Sequence, residues 1–201
     1  MIKDFPVDAV ALPGLGALAL GFLSFIVALV AARSRAAETK RTTDTASLPA
    51  SWLWIIVQGL AIGAVGFGRI VVQLAALSAK GLVEGFAVLA VMLTAVALFD
   101  ASSRAMGKNW ALVARTRSDH TLVQSGPFAW VRHPIYIALF LFMIAMAIAY
   151  GHTRNLIVAV PLYAVATWMR VRCEEQLLRA QFGADYDAYA RRVKRFIPGV
   201  F

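Results

Sequence analysis

Two charged stretches of this chain adjoin oily ones. Residues 125–136 read S-G-P-F-A-W-V-R-H-P-I-Y and run straight into I-A-L-F-L-F-M-I-A-M-A-I-A, while residues 170–182 read R-V-R-C-E-E-Q-L-L-R-A-Q-F and follow another apolar run. Ser125, Gly126 and Pro127 spell a turn, and Pro134 suits the first turn of a helix, where its missing N–H costs nothing. A turn, a proline start and cations at a headgroup interface explain much of that stretch without any ligand. They do not explain why Arg132 and His133 sit at a helix amino end, where positive partial charge already collects. An anion is needed there, and a ligand with carboxylate, phosphate or purine acceptors would supply it.

In the second stretch, helical spacing puts Arg170 one turn from Glu174 and Glu175 one turn from Arg179. Solvated ion pairs on a helix surface are the plain expectation. Yet Glu174 and Glu175 emerge from a short apolar run close to the bilayer, where unpartnered carboxylates are costly. Either could also take a proton from an amine.

The elements that must position these groups are apolar. The chain has 201 residues, of which 60% are hydrophobic and 15% charged, and its mean hydropathy is +0.70; the sequence therefore predicts an integral membrane protein. Apolar runs at 7–32, 52–77, 81–101, 135–150 and 156–169 predict an all-α bundle of about five transmembrane helices in a single domain. Its parts would be three spans in 1–101, a cytoplasmic loop at 102–134, a helical hairpin at 135–169 and an amphipathic cytoplasmic segment at 170–201. The first run is too long for the core of a cleaved signal peptide and is expected to remain. The last two runs are short for a hydrocarbon core of about 30 Å. With Pro161 kinking the fifth, such a pair could splay and leave a cavity between its ends.

Arg33, Arg35, Lys40 and Arg41 follow the first run, and Arg104, Lys108, Arg115, Arg117 and Arg132 the third, against only Lys3, Lys80 and Arg154 on the opposite loops. The positive-inside rule then puts the amino end outside and the carboxyl segment in the cytoplasm. The Ala- and Gly-rich composition suggests a bacterial inner membrane. The net charge of +9 fits anionic lipid rather than nucleic acid, because no basic helix interleaved with aromatics lies outside the apolar runs. Cys173 has no second cysteine and no evident histidine partner, so neither a disulfide nor thiol catalysis is expected. His120, His133 and His152 lack metal-ligand spacing.

Gly14, Gly16 and Gly21, like Gly63, Gly66 and Gly68, lie in apolar runs and are expected to let helices approach rather than to cradle phosphate. Arg69 within the second run and Asp100 at the end of the third should face partners or reach the headgroups. The aromatic and aliphatic residues between 102 and 133 argue for an ordered functional loop. Leu177, Leu178, Phe182, Tyr186 and Tyr189 form a face that lies on the membrane or caps the bundle.

Taken in order, L-V-Q-S-G-P-F-A-W-V-R-H-P-I-Y, then E-E-Q-L-L-R-A-Q-F-G-A-D-Y-D-A-Y, then F-I-P resemble the isoprenylcysteine carboxyl methyltransferase family, itself similar to the phospholipid N-methyltransferases; G-K-N-W at 107–110 resembles a further family element. The resemblance covers the carboxyl half, from Asp100 onward. It implies a membrane enzyme that uses S-adenosylmethionine without a Rossmann domain. Carried over, Gln124, Ser125, Gly126, Pro127, Phe128, Arg132, His133, Pro134 and Tyr136 would line the cofactor pocket, with Glu174 and Glu175 closing it. Arg170 matches an arginine near the substrate carboxylate, and Phe128 stands where many members have Tyr. The implied acceptor is a lipophilic or lipid-linked carboxylate reached from the bilayer. A lipid amine or small thiol acceptor, or a non-catalytic scaffold for anionic lipid, are the rival readings. The final residues show no C-a-a-X pattern, so the chain is not expected to be its own prenylated substrate.

Overall fold

The computed structural model describes residues 7–37, 44–47, 50–112, 115–117 and 121–200. Lys3, Lys40, Arg41 and His120, all weighed above, lie outside these residues. In chain order the elements are β1 (Ala9–Val10), α1 (Leu12–Ala37), β2 (Asp44–Ser47), α2 (Ala50–Val65), β3 (Val71–Val72), α3 (Ala79–Met106), β4 (Arg115–Arg117), α4 (Pro134–Tyr150), α5 (Leu156–Phe182) and α6 (Ala184–Arg192). Helices dominate. The strands form two small ribbons, β1 parallel to β3 and β2 antiparallel to β4.

The protein is an integral, multi-pass membrane protein. The helices α1, α3 and α5 are long and apolar enough to cross a bilayer, whereas α2 and α4 are shorter apolar helices. Helix α1 packs on α3, α3 on α4, and α2 on α5. Small residues set some of these approaches: a Cβ on Gly21 would come within 2.7 Å of the Met92 side chain, and one on Gly85 within 2.8 Å of Pro13. Gly63, in contrast, has nothing within 4 Å of a Cβ and serves no close approach.

The second apolar run does not continue as one helix to residue 77. Helix α2 stops at Val65; Gly66 N–H bonds to Gly63 O at 2.9 Å, and Gly68 takes φ +141°, a conformation that a side chain would disfavour. The carbonyls at this end find side-chain partners from the α4–α5 connection. Asn155 Nδ2 donates to Ala64 O (3.1 Å) and Phe67 O (3.0 Å), and the His152 ring nitrogens lie 2.8 Å from Val65 O and 3.1 Å from Arg69 O. Arg69, expected within a span, is therefore exposed in the loop beyond α2.

The fifth helix corrects the opposite error. Rather than ending near residue 169, α5 runs through Pro161 and on to Phe182, 27 residues in all, or about 40 Å at 1.5 Å per residue. Site residues 170–175 thus belong to the rigid helix that crosses the bundle, not to a separate segment. Beyond it, Tyr186, Tyr189 and Val193 are buried together against Leu122, Leu178 and Phe182, so α6 caps the bundle. At the same end Asp100 accepts from Arg104 Nε at 2.6 Å and lies 3.6 Å from Arg35, whose Nη2 donates to Ser103 Oγ at 2.8 Å. Arg35, Arg104, Lys108 and Arg132 all gather at the end of the bundle where α4 begins.

Candidate active site

A short 3₁₀ turn, Gly126–Ala129, follows extended Ser125. Val131 N–H returns to Pro127 O at 3.1 Å, and Tyr189 OH donates to Phe128 O at 2.7 Å, which pins the turn to α6. The next two peptides are held by the carboxyl segment: Arg132 N–H bonds to Lys194 O (2.8 Å) and His133 N–H to Arg195 O (3.1 Å). Pro134 then opens α4. Two orphan donors near a helix start are satisfied by backbone carbonyls rather than by a side-chain cap.

The anion that Arg132 and His133 require is supplied by the chain itself. Glu175 Oε1 accepts from Arg132 Nη2 (2.9 Å), Arg132 Nε (3.2 Å) and Arg195 Nε (3.0 Å), and Oε2 accepts from Arg195 Nη2 (2.7 Å). His133 Nε2 lies 3.2 Å from Oε1. The Glu175 side chain is only 3% exposed. Two guanidiniums and the His133 ring leave this carboxylate little capacity for a ligand. Burial depresses the pKa of His133, but its bonds to Glu174 and Glu175 outweigh that and leave it above the ordinary 6.5.

Glu174, one residue earlier, faces differently. The Tyr136 hydroxyl donates to its Oε1, and His133 Nδ1 lies 3.6 Å from Oε2. Arg170 is buried, donating from Nη1 to Gln58 Oε1 (2.6 Å) and from Nη2 to Leu112 O (2.9 Å), with its guanidinium 5.0 Å from the Tyr136 ring centre. Its Nε has no hydrogen-bond partner among the described residues. Neither expected helical hydrogen-bonded pair forms. Arg170 bonds Gln58 and Leu112 rather than Glu174, and Arg179 bonds Asp187 at 2.8 Å rather than Glu175. Glu175 is met instead by the guanidiniums of Arg132 and Arg195, and Arg170 by a buried amide oxygen and a backbone carbonyl, so groups from other segments replace the partner one turn away.

These groups line a cavity of about 260 Å³ between α4 and α5. Its charged end holds Arg132, His133, Glu174 and Arg170; its apolar wall holds Phe25 and Leu29 of α1, Phe99 of α3 and Leu139 of α4. Trp110 also faces it, on the G-K-N-W turn that Asn109 Nδ2 fixes to Thr121 Oγ1 at 2.8 Å. A smaller cavity of about 60 Å³ adjoins through Met106, Asn109 and Phe128. Of the residues singled out from sequence, Phe128, Arg132, His133, Pro134, Tyr136, Arg170 and Glu174 line the main cavity. Gln124, Ser125, Gly126, Pro127 and Glu175 do not; Gln124 bonds Arg192 at 2.7 Å on a separate surface groove. Gln58 was missed altogether, since a lone amide in an apolar run gives no periodic signal.

A charged pocket, continued by an apolar wall, thus lies at one end of a multi-pass helical bundle. This chain matches the profile of the isoprenylcysteine carboxyl methyltransferase (ICMT) family over residues 83–180, the stretch that contains most of this pocket. It is 36% identical over 85 residues to a protein-S-isoprenylcysteine O-methyltransferase of Tribolium castaneum, across 40% of this chain and 29% of the relative. It is 30% identical over 111 residues to the cobalt-zinc-cadmium resistance protein CzcN of Cupriavidus metallidurans, across 53% of this chain and 50% of that protein. Among solved structures, the eukaryotic intramembrane Ras methyltransferase ICMT superposes with a TM-score of 0.50 at 25% identity, covering 75% of this chain and 50% of that one. The chain thus spans half or less of the length of these proteins.

Proposed function

We propose that this chain is a membrane methyltransferase that uses S-adenosylmethionine to methylate a carboxylate on a lipophilic acceptor. The observation that carries the reading is a single cavity in which Glu174 and Arg170 share walls with Phe25, Leu29, Phe99 and Leu139. The residues fit the cofactor. Glu174 offers a carboxylate to an ammonium or sulfonium, and Trp110 and Phe128 offer aromatic surface to an adenine, while Arg170 Nε is a buried donor left for the acceptor. The main cavity is just under the roughly 300–1,000 Å³ usual for small-molecule sites, and the adjoining 60 Å³ extends it.

S-Adenosylmethionine brings an electrophilic methyl group on a sulfonium. The chain's own part is alignment and exclusion of water. Arg170, held from two sides, orients an acceptor carboxylate that is already ionised near neutral pH, so no base is required. The apolar wall receives the acceptor's hydrocarbon. His133 and Tyr136 hold the Glu174 carboxylate in place, and Glu175 holds His133. An amine acceptor is the second reading, favoured by one observation: Glu174 lies on the cavity wall, where it can receive a proton. The positive-inside bias of Arg33, Arg35, Arg104 and Arg132 supports a cytoplasmic charged end and an outward amino end.

Calorimetry with S-adenosylmethionine and S-adenosylhomocysteine on detergent-purified protein tests the cofactor. Saturable binding lost in Glu174→Ala is expected. Absence of binding to folded protein, in lipid as in detergent, would leave the anionic-lipid scaffold as the better account. Transfer of a labelled methyl to an isoprenylated cysteine, a lipid amine or a small thiol then decides the acceptor.

A further inference from the structure

Between Trp52 and Val65 the sequence W-L-W-I-I-V-Q-G-L-A-I-G-A-V holds a single polar side chain, Gln58. It is 3% exposed. A primary amide buried among apolar helices is costly unless both its ends are satisfied. Both are: Nε2 donates to Thr167 Oγ1 at 2.7 Å, and Oε1 accepts from Arg170 Nη1 at 2.6 Å. The amide cannot be turned the other way, because a guanidinium only donates and must face the oxygen.

Thr167 and Arg170 share a face of α5 with Tyr163, whose hydroxyl donates to Tyr136 O at 2.6 Å. A polar seam therefore runs from α2 across α5 to the first turn of α4, ending at the cavity. Arg170 is fixed at each Nη by a different segment, Gln58 of α2 and Leu112 of the loop after α3, and its third nitrogen, Nε, has no partner among the described residues.

We infer that Gln58 is a positioning residue: it fixes the rotation of the Arg170 guanidinium so that Arg170 meets the acceptor in one orientation. This rests on the methyltransferase reading for its consequence, though not for its geometry. Gln58→Met keeps the volume and removes both polar ends, freeing Nη1. Gln58→Glu keeps an acceptor for Arg170 and lets the Thr167 hydroxyl donate in its turn, so it should rescue.

Two measurements decide it. In protein with ¹⁵N-labelled arginine in nanodiscs, Arg170 should show resolved Nη1 and Nη2 signals, because rotation about Nε–Cζ is hindered. They should merge in Gln58→Met and remain apart in Gln58→Glu. In turnover, Gln58→Met should lower kcat/KM for the acceptor by about 100-fold, the scale of a misplaced orienting group, with cofactor affinity unchanged and Gln58→Glu close to wild type. Resolved signals in Gln58→Met, or equal loss of cofactor and acceptor binding in it, would overturn the assignment. Wild-type protein that methylates nothing would defeat the methyltransferase reading, while the spectra would still decide whether Gln58 holds Arg170.

Discussion

Replacing Glu175 with Gln would test the division of labour between two adjacent glutamates. In the native structure its carboxylate takes bonds from Arg132, Arg195 and His133 while only 3% exposed. The amide keeps the shape and removes the charge, leaving the guanidiniums of Arg132 and Arg195 without the carboxylate that they share. Breaking a buried ion pair on one side costs about 3–5 kcal/mol, and for a chain of this size each kcal/mol lowers Tm by about 2–4 °C, so a fall of roughly 6–20 °C is expected. Glu174→Gln should behave otherwise. That side chain is 28% exposed and bonds mainly the Tyr136 hydroxyl, so it should lose about 1 kcal/mol of stability but most of its affinity for S-adenosylmethionine. Thermal unfolding in detergent, run beside calorimetry on each variant, separates the two. If Glu175→Gln unfolds with wild-type Tm yet no longer binds cofactor, the assignment of Glu175 to internal charge balance is wrong.

The remaining predictions concern pH and packing. His133 has its folded pKa raised above 6.5 by Glu174 and Glu175, so its contribution to stability is complete below about 6.5 and is lost as pH climbs through the raised value. The Tm gap between wild type and His133→Gln should accordingly narrow with rising pH; a gap that widens would reverse the sign of the argument. Gly81→Ala should destabilise by about 1–3 kcal/mol, because its Cβ would sit 2.8 Å from Ala75 O and 2.9 Å from Ala11 Cβ. Gly63→Ala, with open space around it, should be neutral or gain roughly 0.5–1 kcal/mol, as denaturation of the paired variants would show.

What the sequence reveals here is local. The turn at 126–129 and the proline start of α4 are written in consecutive residues, and the structure has both. The end of α2 is less legible, because Ile70, Val71 and Val72 keep the run apolar past the break; the Gly66–Gly68 turn and the pairing of Val71–Val72 with Ala9–Val10 decide it, and that pairing is long-range. The helical pairs proposed for Arg170 and Glu175 fail for the same reason, since spacing along one helix does not record what other segments bring. Gln58 reaches Arg170 across 112 positions and Arg132 reaches Glu175 across 43. Charge needing a partner was readable at Arg132 and His133; which carboxylate would meet it was not.

The bond from Arg132 to Glu175, and those from its peptide and the next to Lys194 and Arg195, also impose an order on biosynthesis. A chain made from its amino end brings Arg132 and His133 to the membrane while Glu175 is still to be translated. During that interval the start of α4 carries uncompensated positive charge, the kind of signal that holds a helix end on the cytoplasmic side. In the orientation proposed above, the same residues act first as a topological anchor during insertion. Only when α5 and the segment after α6 arrive does that charge become internal.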